Sequence, residues 1–153
     1  MTKGDNINLF STLNKLGKLT GVKFAYAVAR NLAFLKPEYE ALQEAVKPTE
    51  DFVKYEEERV ELAKEYAKKD AEGKPISENN AYVLEDKETF DVKFIELKKK
   101  HKKTLEAREA QLKEQEELLK TDSTLVLYKV KIEDVPKDIT VAQMNSILEI
   151  VED

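Results

Sequence analysis

The chain has 153 residues, of which 41% are hydrophobic and 37% are charged, and its formal net charge is −5. This length suits one ordinary domain, and the high charged fraction with few glycines and prolines and no Trp favours long charged helices over a β-sandwich or barrel. The absence of Cys excludes disulfides, thiolate metal ligands and a cysteine nucleophile. No apolar run approaches the roughly 18 residues that cross a bilayer, so no membrane partner is expected.

Charge is distributed unevenly along the chain. Residues 1–36 contain six basic residues and one acidic residue, Asp5, so a basic end precedes a strongly acidic remainder. An acidic protein is a poor candidate for nonspecific DNA binding, and no specific nucleic-acid partner is expected. The basic end could hold a small anion or the acidic part of another copy.

The first predicted element is a short helix over residues 5–16. Asp5 or Asn6 is a suitable N-cap, and Gly17 stands where a left-handed residue would end the helix. Four apolar side chains recur along it at helical spacing, namely Leu9, Phe10, Leu13 and Leu16.

A second helix is predicted from Gly21 to about Lys36, with Thr20 as its N-cap and Pro37 as the residue that breaks or kinks it. Two opposite faces follow from a rotation of 100° per residue. We expect the small aliphatic face to pack, and it contains Val22, Ala25, Ala29 and Leu32. The other face is basic and aromatic, and it contains Lys23, Tyr26, Ala27, Arg30 and Phe34.

Residues 17–31, GKLTGVKFAYAVARN, resemble a phosphate-binding loop only superficially. A Walker A loop requires Ser or Thr after Gly-Lys, but Leu19 follows here, and Thr12 occupies the position of the first Gly. A helix start beside basic and aromatic side chains could still bind a small anion. The candidate ligand contacts are Lys18, Lys23, Tyr26, Arg30 and Asn31. The alternative is a helical hairpin with a glycine-rich turn and a solvated basic face.

The middle of the chain predicts a long helical hairpin with a small β element. Residues 38–70 are helical in pattern, with Pro48 as the place of a bend, and carry two apolar stripes that imply a central or oligomeric helix. A β-hairpin is predicted near residues 73–85, with Ile76 pairing with residues 82–84 across a turn at residues 78–80.

Asp86 is then expected to cap a helix that runs to about Lys120. The second half of this helix has one apolar residue per seven, which cannot hold a lone exposed helix. We therefore expect it to lie along the helix over residues 38–70, although self-association as a coiled-coil rod is an alternative.

Residues 124–132, TLVLYKVKI, predict the best strand of the chain. Val126, Tyr128, Val130 and Ile132 alternate onto one face, and Lys129 and Lys131 fall on the other. The expected partner is the small hairpin or the same strand in another copy.

A final helix is predicted after this strand. Thr140 and Gln143 form a capping box, and Ile139 with Met144 forms a hydrophobic staple. The apolar face expected for this helix consists of Val141, Met144, Leu148 and Val151.

No arrangement of residues indicates catalysis. His101 is the only histidine and cannot be half of a His-pair metal site, so a solvated or packed role is expected. Carboxylates are frequent on the predicted helices, but nothing selects an acid–base pair or a metal site. We expect no catalytic residues, no metal and no cofactor.

The order of several blocks resembles a small uncharacterised protein family of tailed bacteriophages. The blocks are KFAYAVARN, LKPEYEAL, YEEERVELAKEYAKKDAEGKP, AYVLEDKETF and LVLYKVKIEDVPKDITVAQMNSILEIVED, and the resemblance runs from about residue 5 to the C-terminus. The resemblance implies a viral protein made in the host bacterial cytoplasm, and it brings no catalytic residues.

Two functions are compatible with these features. One is a non-enzymatic, homo-oligomeric phage protein that binds and sequesters a ligand, a nucleotide-type immune signal of the host, as an anti-defence protein. The alternative is a structural or assembly accessory protein of the virion that acts through contacts with phage or host proteins.

The predicted fold is mainly α (α+β), a long antiparallel helical hairpin with a small β element and short helices at both ends. It is expected to be a single domain, with a basic helical pair over 1–36, the hairpin over 38–120 and a strand plus helix over 124–153.

Overall fold

The computed structural model describes residues 1–16 and 20–153. Its α-helices are α1 (Lys3–Lys15), α2 (Val22–Ala45), α3 (Glu50–Glu65), α4 (Lys87–Lys100), α5 (Lys102–Lys120) and α6 (Val141–Ile147). Its strands are β1 (Ser77–Glu78), β2 (Ala81–Tyr82), β3 (Val130–Lys131) and β4 (Val151–Glu152), and short 3-10 helices occupy Ile132–Asp134 and Leu148–Ile150. The prediction of a mainly α fold with a minor β element is confirmed.

The chain divides into two compact units. One consists of Met1–Lys47 with Lys113–Asp153, and the other of Pro48–Leu112. The first unit contains the larger core, because eleven buried side chains from α1, α2, α6 and the segments around them form one cluster. The division differs from the predicted organisation, in which residues 38–120 form one hairpin.

Helix α1 begins earlier than predicted because Thr2, rather than Asp5 or Asn6, is its N-cap. The Thr2 hydroxyl accepts from the Asp5 N–H and the Asp5 carboxylate accepts from the Thr2 N–H, which is a capping box. Asn6 lies inside the helix and is buried, where its amide donates to Glu38 and to the Ser123 hydroxyl. Gly17 lies outside the described residues.

Helix α2 continues past Lys36, where the prediction ended it, and Pro37 does not break it. It begins after Gly21, whose φ of 116° is accessible mainly to glycine, and Thr20 makes no cap. The helix continues through Pro37 to Ala45, since buried Leu35 and Leu42 lie on either side of the proline and hold both halves to the first unit. The predicted bend near Pro48 is a full break, because Thr49 caps the new helix α3.

In the second unit, α3 runs antiparallel to α4 and to the start of α5. The ring of Tyr66 lies 6.4 Å from that of Phe90, Tyr55 lies 5.5 Å from His101, and the Arg108 guanidinium lies 5.3 Å from the Phe52 ring. These contacts confirm that the long helix packs along its neighbour. The single helix predicted from Asp86 to about Lys120 is divided into α4 and α5 at His101, the C-cap of α4.

The predicted β-hairpin is also present in this unit. Strands β1 and β2 pair antiparallel across Asn79 and Asn80, which both have positive φ angles of 50° and 62°. Two consecutive left-handed residues make a type I′ turn, and asparagine tolerates this conformation well. Asp86 caps α4 as expected, since its carboxylate accepts from the Thr89 N–H.

The predicted strand over residues 124–132 is only partly formed. Within the predicted strand a ladder exists at β3 alone, which pairs in parallel with β4 and not with the small hairpin. Pairing with the same strand of another copy stays a prediction. Of the predicted apolar face, Val130 is buried but Val126 is 85% exposed, and Leu127, which lies outside the predicted face, is buried.

The capping box of Thr140 and Gln143 at α6 is confirmed. The face predicted for this helix is wrong for Val141 and Leu148, which are exposed, whereas Met144 and Val151 pack against the core as expected. Ile147 and Ile150 are the fully buried side chains. The helix ends at Ile147 and gives way to a 3-10 turn, which moves Ile150 into the core. No helix among the described residues combines the length and apolar character needed to cross a membrane.

Candidate functional site

The rotation of α2 decides which of its side chains face outward. Phe24, Ala27, Asn31 and Leu35 are its buried residues in this region. The predicted packing face is therefore wrong for Val22, Ala25 and Ala29, and Val22 is 88% exposed. Burial of the large Phe24 ring removes more apolar surface from water than burial of alanines, which accounts for the rotation.

The basic and aromatic face of α2 points outward as predicted, apart from Ala27. Lys23, Tyr26 and Arg30 are exposed on this face. The first two line a surface pocket of about 410 Å³ in the first unit. The remaining lining comes from Val22, Tyr128, Lys129, Val130, Lys131, Asp134 and Glu152.

Two tyrosines form the aromatic part of this pocket, which we call the tyrosine pocket. The ring centroids of Tyr26 and Tyr128 lie 5.5 Å apart at an interplanar angle of 84°, an edge-to-face contact. Their residues are 52% and 41% exposed, so surface of both rings is open to solvent. An edge-to-face pair holds each ring in place while leaving a face available for a planar ligand.

The charges around the tyrosine pocket are mixed. Lys23 Nζ lies 2.9 and 3.1 Å from the two carboxylate oxygens of Asp134, and this hydrogen-bonded ion pair raises the pKa of Lys23 above its usual value. Lys129 donates to the Glu149 carbonyl oxygen. Lys131 makes no ion pair with any residue that the structure describes, so its ammonium group is available to an anion.

Arg30 lies outside the lining of the tyrosine pocket. Its guanidinium stacks at 4.7 Å over the Phe34 ring, one turn further along the same face of α2. This arrangement holds the cation in an exposed position next to the pocket side of the helix. Arg30 therefore stays a candidate for contact with the outer part of a ligand.

Asn31, a predicted ligand contact, lies in the core and outside the lining of the tyrosine pocket. Its side chain is fully buried. Both polar groups of its amide bond the backbone of Tyr128, since Oδ1 accepts from the Tyr128 N–H and Nδ2 donates to the Tyr128 carbonyl, both at 2.8 Å. Asn31 lies seven residues after Phe24, which places it on the same buried face. Its role is to hold the segment that supplies Tyr128. Lys18, the remaining predicted contact, lies outside the described residues.

Most of the lining lies about a hundred residues away in sequence and was not predicted. Tyr128, Lys129, Lys131 and Asp134 reach α2 because Asn31 bonds the backbone at Tyr128. The exposure of Val22 beside Lys23 is the feature that marks this face of α2 as open to a ligand. Sequence periodicity could not show it, because it assigned Val22 to the packed face.

The second unit contains a charged cluster at the break between α4 and α5. Glu58 accepts from Lys100 at 2.7 Å, and its carboxylate lies 3.2 Å from His101 Nε2. These two contacts lower the pKa of Glu58. His101 also packs edge-on against Tyr55, so the cluster joins α3 to the helix break. In the described residues no group of three or more His, Asp or Glu side chains is placed to hold a metal ion.

Comparison of the chain with protein-family models, with curated proteins and with solved structures found no match.

Proposed function

We propose that the protein acts by binding rather than by catalysis, and that the tyrosine pocket takes a small anionic ligand with a planar ring, of nucleotide type. The observation that carries this proposal is the open edge-to-face pair of Tyr26 and Tyr128 beside the ammonium of Lys131, which no described residue engages in an ion pair. A base stacks on an aromatic ring, and a phosphate is attracted by nearby cations.

The chemistry of the lining favours binding over turnover. Its side chains are valine, tyrosine, lysine and two carboxylates, with no histidine. The raised pKa of Lys23 keeps this group protonated at neutral pH, which suits an ion pair and not proton abstraction. The carboxylates of Asp134 and Glu152 limit the positive charge of the pocket, so ring stacking has to supply much of the affinity.

The resemblance to a tailed-phage family extends this proposal to a biological role. In a phage protein, a nucleotide-type ligand would be an immune signal of the host bacterium, and binding in the host cytoplasm would withhold it from its receptor. Sequestration needs affinity and abundance, and it needs no catalytic group.

Isothermal titration of the full chain tests the binding step. The probes are linear and cyclic nucleotides together with inorganic phosphate as a non-stacking anion. We expect binding of at least one nucleotide, and about a tenfold loss on Tyr26→Ala, since one stacked base contributes roughly 1–3 kcal/mol. Lys131→Glu should also weaken binding.

The matched control is Lys137→Glu, which makes the same charge change at an exposed lysine of the same unit outside the pocket. Equal effects of Lys131→Glu and Lys137→Glu would mean that binding depends on the net charge of the protein and not on a contact with Lys131. Absence of binding to every nucleotide in the panel would overturn the proposal.

A second function, assembly through protein contacts, is favoured by the exposed apolar side chains of the second unit. Val92 and Ile95 project from α4 into solvent, and Val53 lies in an apolar groove of about 520 Å³ along α3. Such a surface suits a protein partner of the virion. Detection of the chain in purified particles would support this function, and early expression without incorporation would contradict it.

A further inference from the structure

Residues 123–129 run through the first unit without a turn or bend, yet they belong to no ladder. Within this stretch the Tyr128 N–H and carbonyl both bond to the Asn31 amide, so both point towards α2. The N–H and carbonyl of one residue in an extended chain lie on the same edge, and those of the next residue lie on the opposite edge. The polar backbone groups of Leu127 therefore point away from α2.

On this outer edge the Leu125 N–H donates to the Ser123 hydroxyl, whereas the backbone groups of Leu127 have no partner among the described residues. The Leu127 N–H donates to no described residue, and the Leu127 carbonyl accepts from none. Val126 also presents an exposed apolar side chain. Natural edge strands carry prolines, inward charges or bulges that block pairing, and between residues 124 and 128 the sequence TLVLY contains none.

We propose that this edge pairs antiparallel with the same segment of a second copy of the chain, around a two-fold axis at Leu127. Leu127 then exchanges backbone hydrogen bonds with Leu127 of the partner subunit. Val126 lies opposite Tyr128 of the partner subunit, a β-branched and aromatic cross-strand pair of the favoured kind. The sequence predicts a homo-oligomer, and this edge supplies its interface.

Charge and neighbouring contacts select this register. With the axis at Leu127, Lys129 lies opposite Leu125 of the partner subunit, so no lysine opposes a lysine. An axis at Lys129 would place two lysines directly opposite each other, which is destabilising. An axis at Leu125 would need the backbone near Thr121 and Asp122, which Lys3 and Thr2 already engage.

Cysteine cross-linking of the full chain tests both the occupant and the register. The chain has no Cys, so any disulfide must form between the introduced cysteines. Residues 126 and 128 of two subunits form a non-hydrogen-bonded pair with Cα atoms about 4.5 Å apart, within the range that a disulfide spans. We expect V126C/Y128C to give a covalent dimer under mild oxidation, recognised by twice the chain mass.

The control is V141C/L148C, which introduces two exposed cysteines elsewhere in the same unit. Light scattering of the unmodified chain and of Val126→Lys supplies a second measurement that needs no disulfide. We expect the dimer fraction to fall in Val126→Lys and to be unchanged in Val141→Lys.

The proposal is overturned if the unmodified chain is monomeric throughout the concentration series, or if V126C/Y128C forms no more covalent dimer than the control. Capture of a foreign strand by a monomeric chain would overturn it equally. No nucleotide is present in these assays, so their outcome is separate from that of the binding experiment.

Discussion

Two buried asparagines connect the C-terminal part of the first unit to its N-terminal helices. Asn6 on α1 bonds the Ser123 hydroxyl, and Asn31 on α2 bonds the backbone of Tyr128 on both sides. A buried amide is costly unless its polar groups are used. Asn31 uses both its donor and its acceptor, and the Nδ2 group of Asn6 donates twice. They replace the ladder that residues 123–128 lack.

Replacing Asn31 by Ala should destabilise the first unit by about 2–4 kcal/mol, because the Tyr128 N–H and carbonyl lose their partners together. Chemical denaturation of the full chain measures this loss. Asn14→Ala is the control, since among the described residues the exposed Asn14 bonds only a carbonyl of its own helix, and its loss should change stability by less than about 0.5 kcal/mol. Similar values for the two variants would refute the bridging role of Asn31.

The ion pair of Lys23 and Asp134 predicts a specific pH dependence. Because the folded state raises the pKa of Lys23 above 10.5, the stabilisation is fully present below 10.5 and is lost as pH rises through the folded-state value. Titration of the Lys23 ammonium by NMR should show a raised midpoint that falls towards 10.5 in Asp134→Asn. An unchanged Lys23 midpoint in the variant would contradict the assignment.

At the scale of single elements, Pro37 lies inside α2 and interrupts its backbone hydrogen bonding without ending the helix. Proline has no N–H to donate to the Ala33 carbonyl, and its ring crowds that carbonyl. Both residues are exposed, so water can satisfy the carbonyl. Packing of Leu35 and Leu42 holds the helix across this position.

Pro37→Ala should therefore raise the free energy of unfolding by about 1–3 kcal/mol, since it restores a helical hydrogen bond and removes the clash. Denaturation of the full chain measures the change, with the exposed neighbour Lys36→Ala as control at less than about 0.5 kcal/mol. A destabilised Pro37→Ala variant would mean that the proline is required for the course of the helix.

Elements with a local cause were predictable from the sequence. The capping box at Thr140 and the turn at Asn79 and Asn80 depend on residues a few positions apart, and both are confirmed. The predicted strand over residues 124–132 is longer than the observed one. Alternation of apolar and polar residues indicates only that the side chains suit a strand, whereas a ladder also needs a neighbouring strand. Asn31 occupies one edge of this segment, and sequence periodicity gives no indication of such a contact.

The candidate site shows the same limit. Lys23, Tyr26 and Arg30 lie on one helix, so their common exposed face follows from helical spacing, although ligand contact by them stays a prediction. Asn31 was predicted on the ligand-binding face but lies on the buried face, because the rotation of α2 depends on where Phe24 packs. Tyr128 and Lys131 join the pocket through contacts between distant segments, and a single sequence does not report these.

At the scale of the whole molecule, the two units differ in how much they bury. The first unit has a cluster of eleven buried side chains, including Phe24, Leu35 and Ile147. In the second unit α3 buries only Tyr55, and α4 has no buried residue. Local stability follows buried apolar contacts, so the two units should open at different free energies.

Native-state hydrogen exchange of the full chain should show slower exchange of the α2 amides around Leu35 than of the α4 amides. Leu35→Ala should remove about 2–5 kcal/mol from the first unit and speed exchange around residue 35 by roughly 30-fold or more, because the side chain is buried and leaves a cavity. Phe34→Ala is the control, since Phe34 is exposed and its ring stacks with Arg30, and it should change exchange far less. If α4 amides exchange as slowly as those of α2, or if Phe34→Ala matches Leu35→Ala, then buried contacts do not set the stability of this molecule, and an interface on the second unit would have to supply the missing protection.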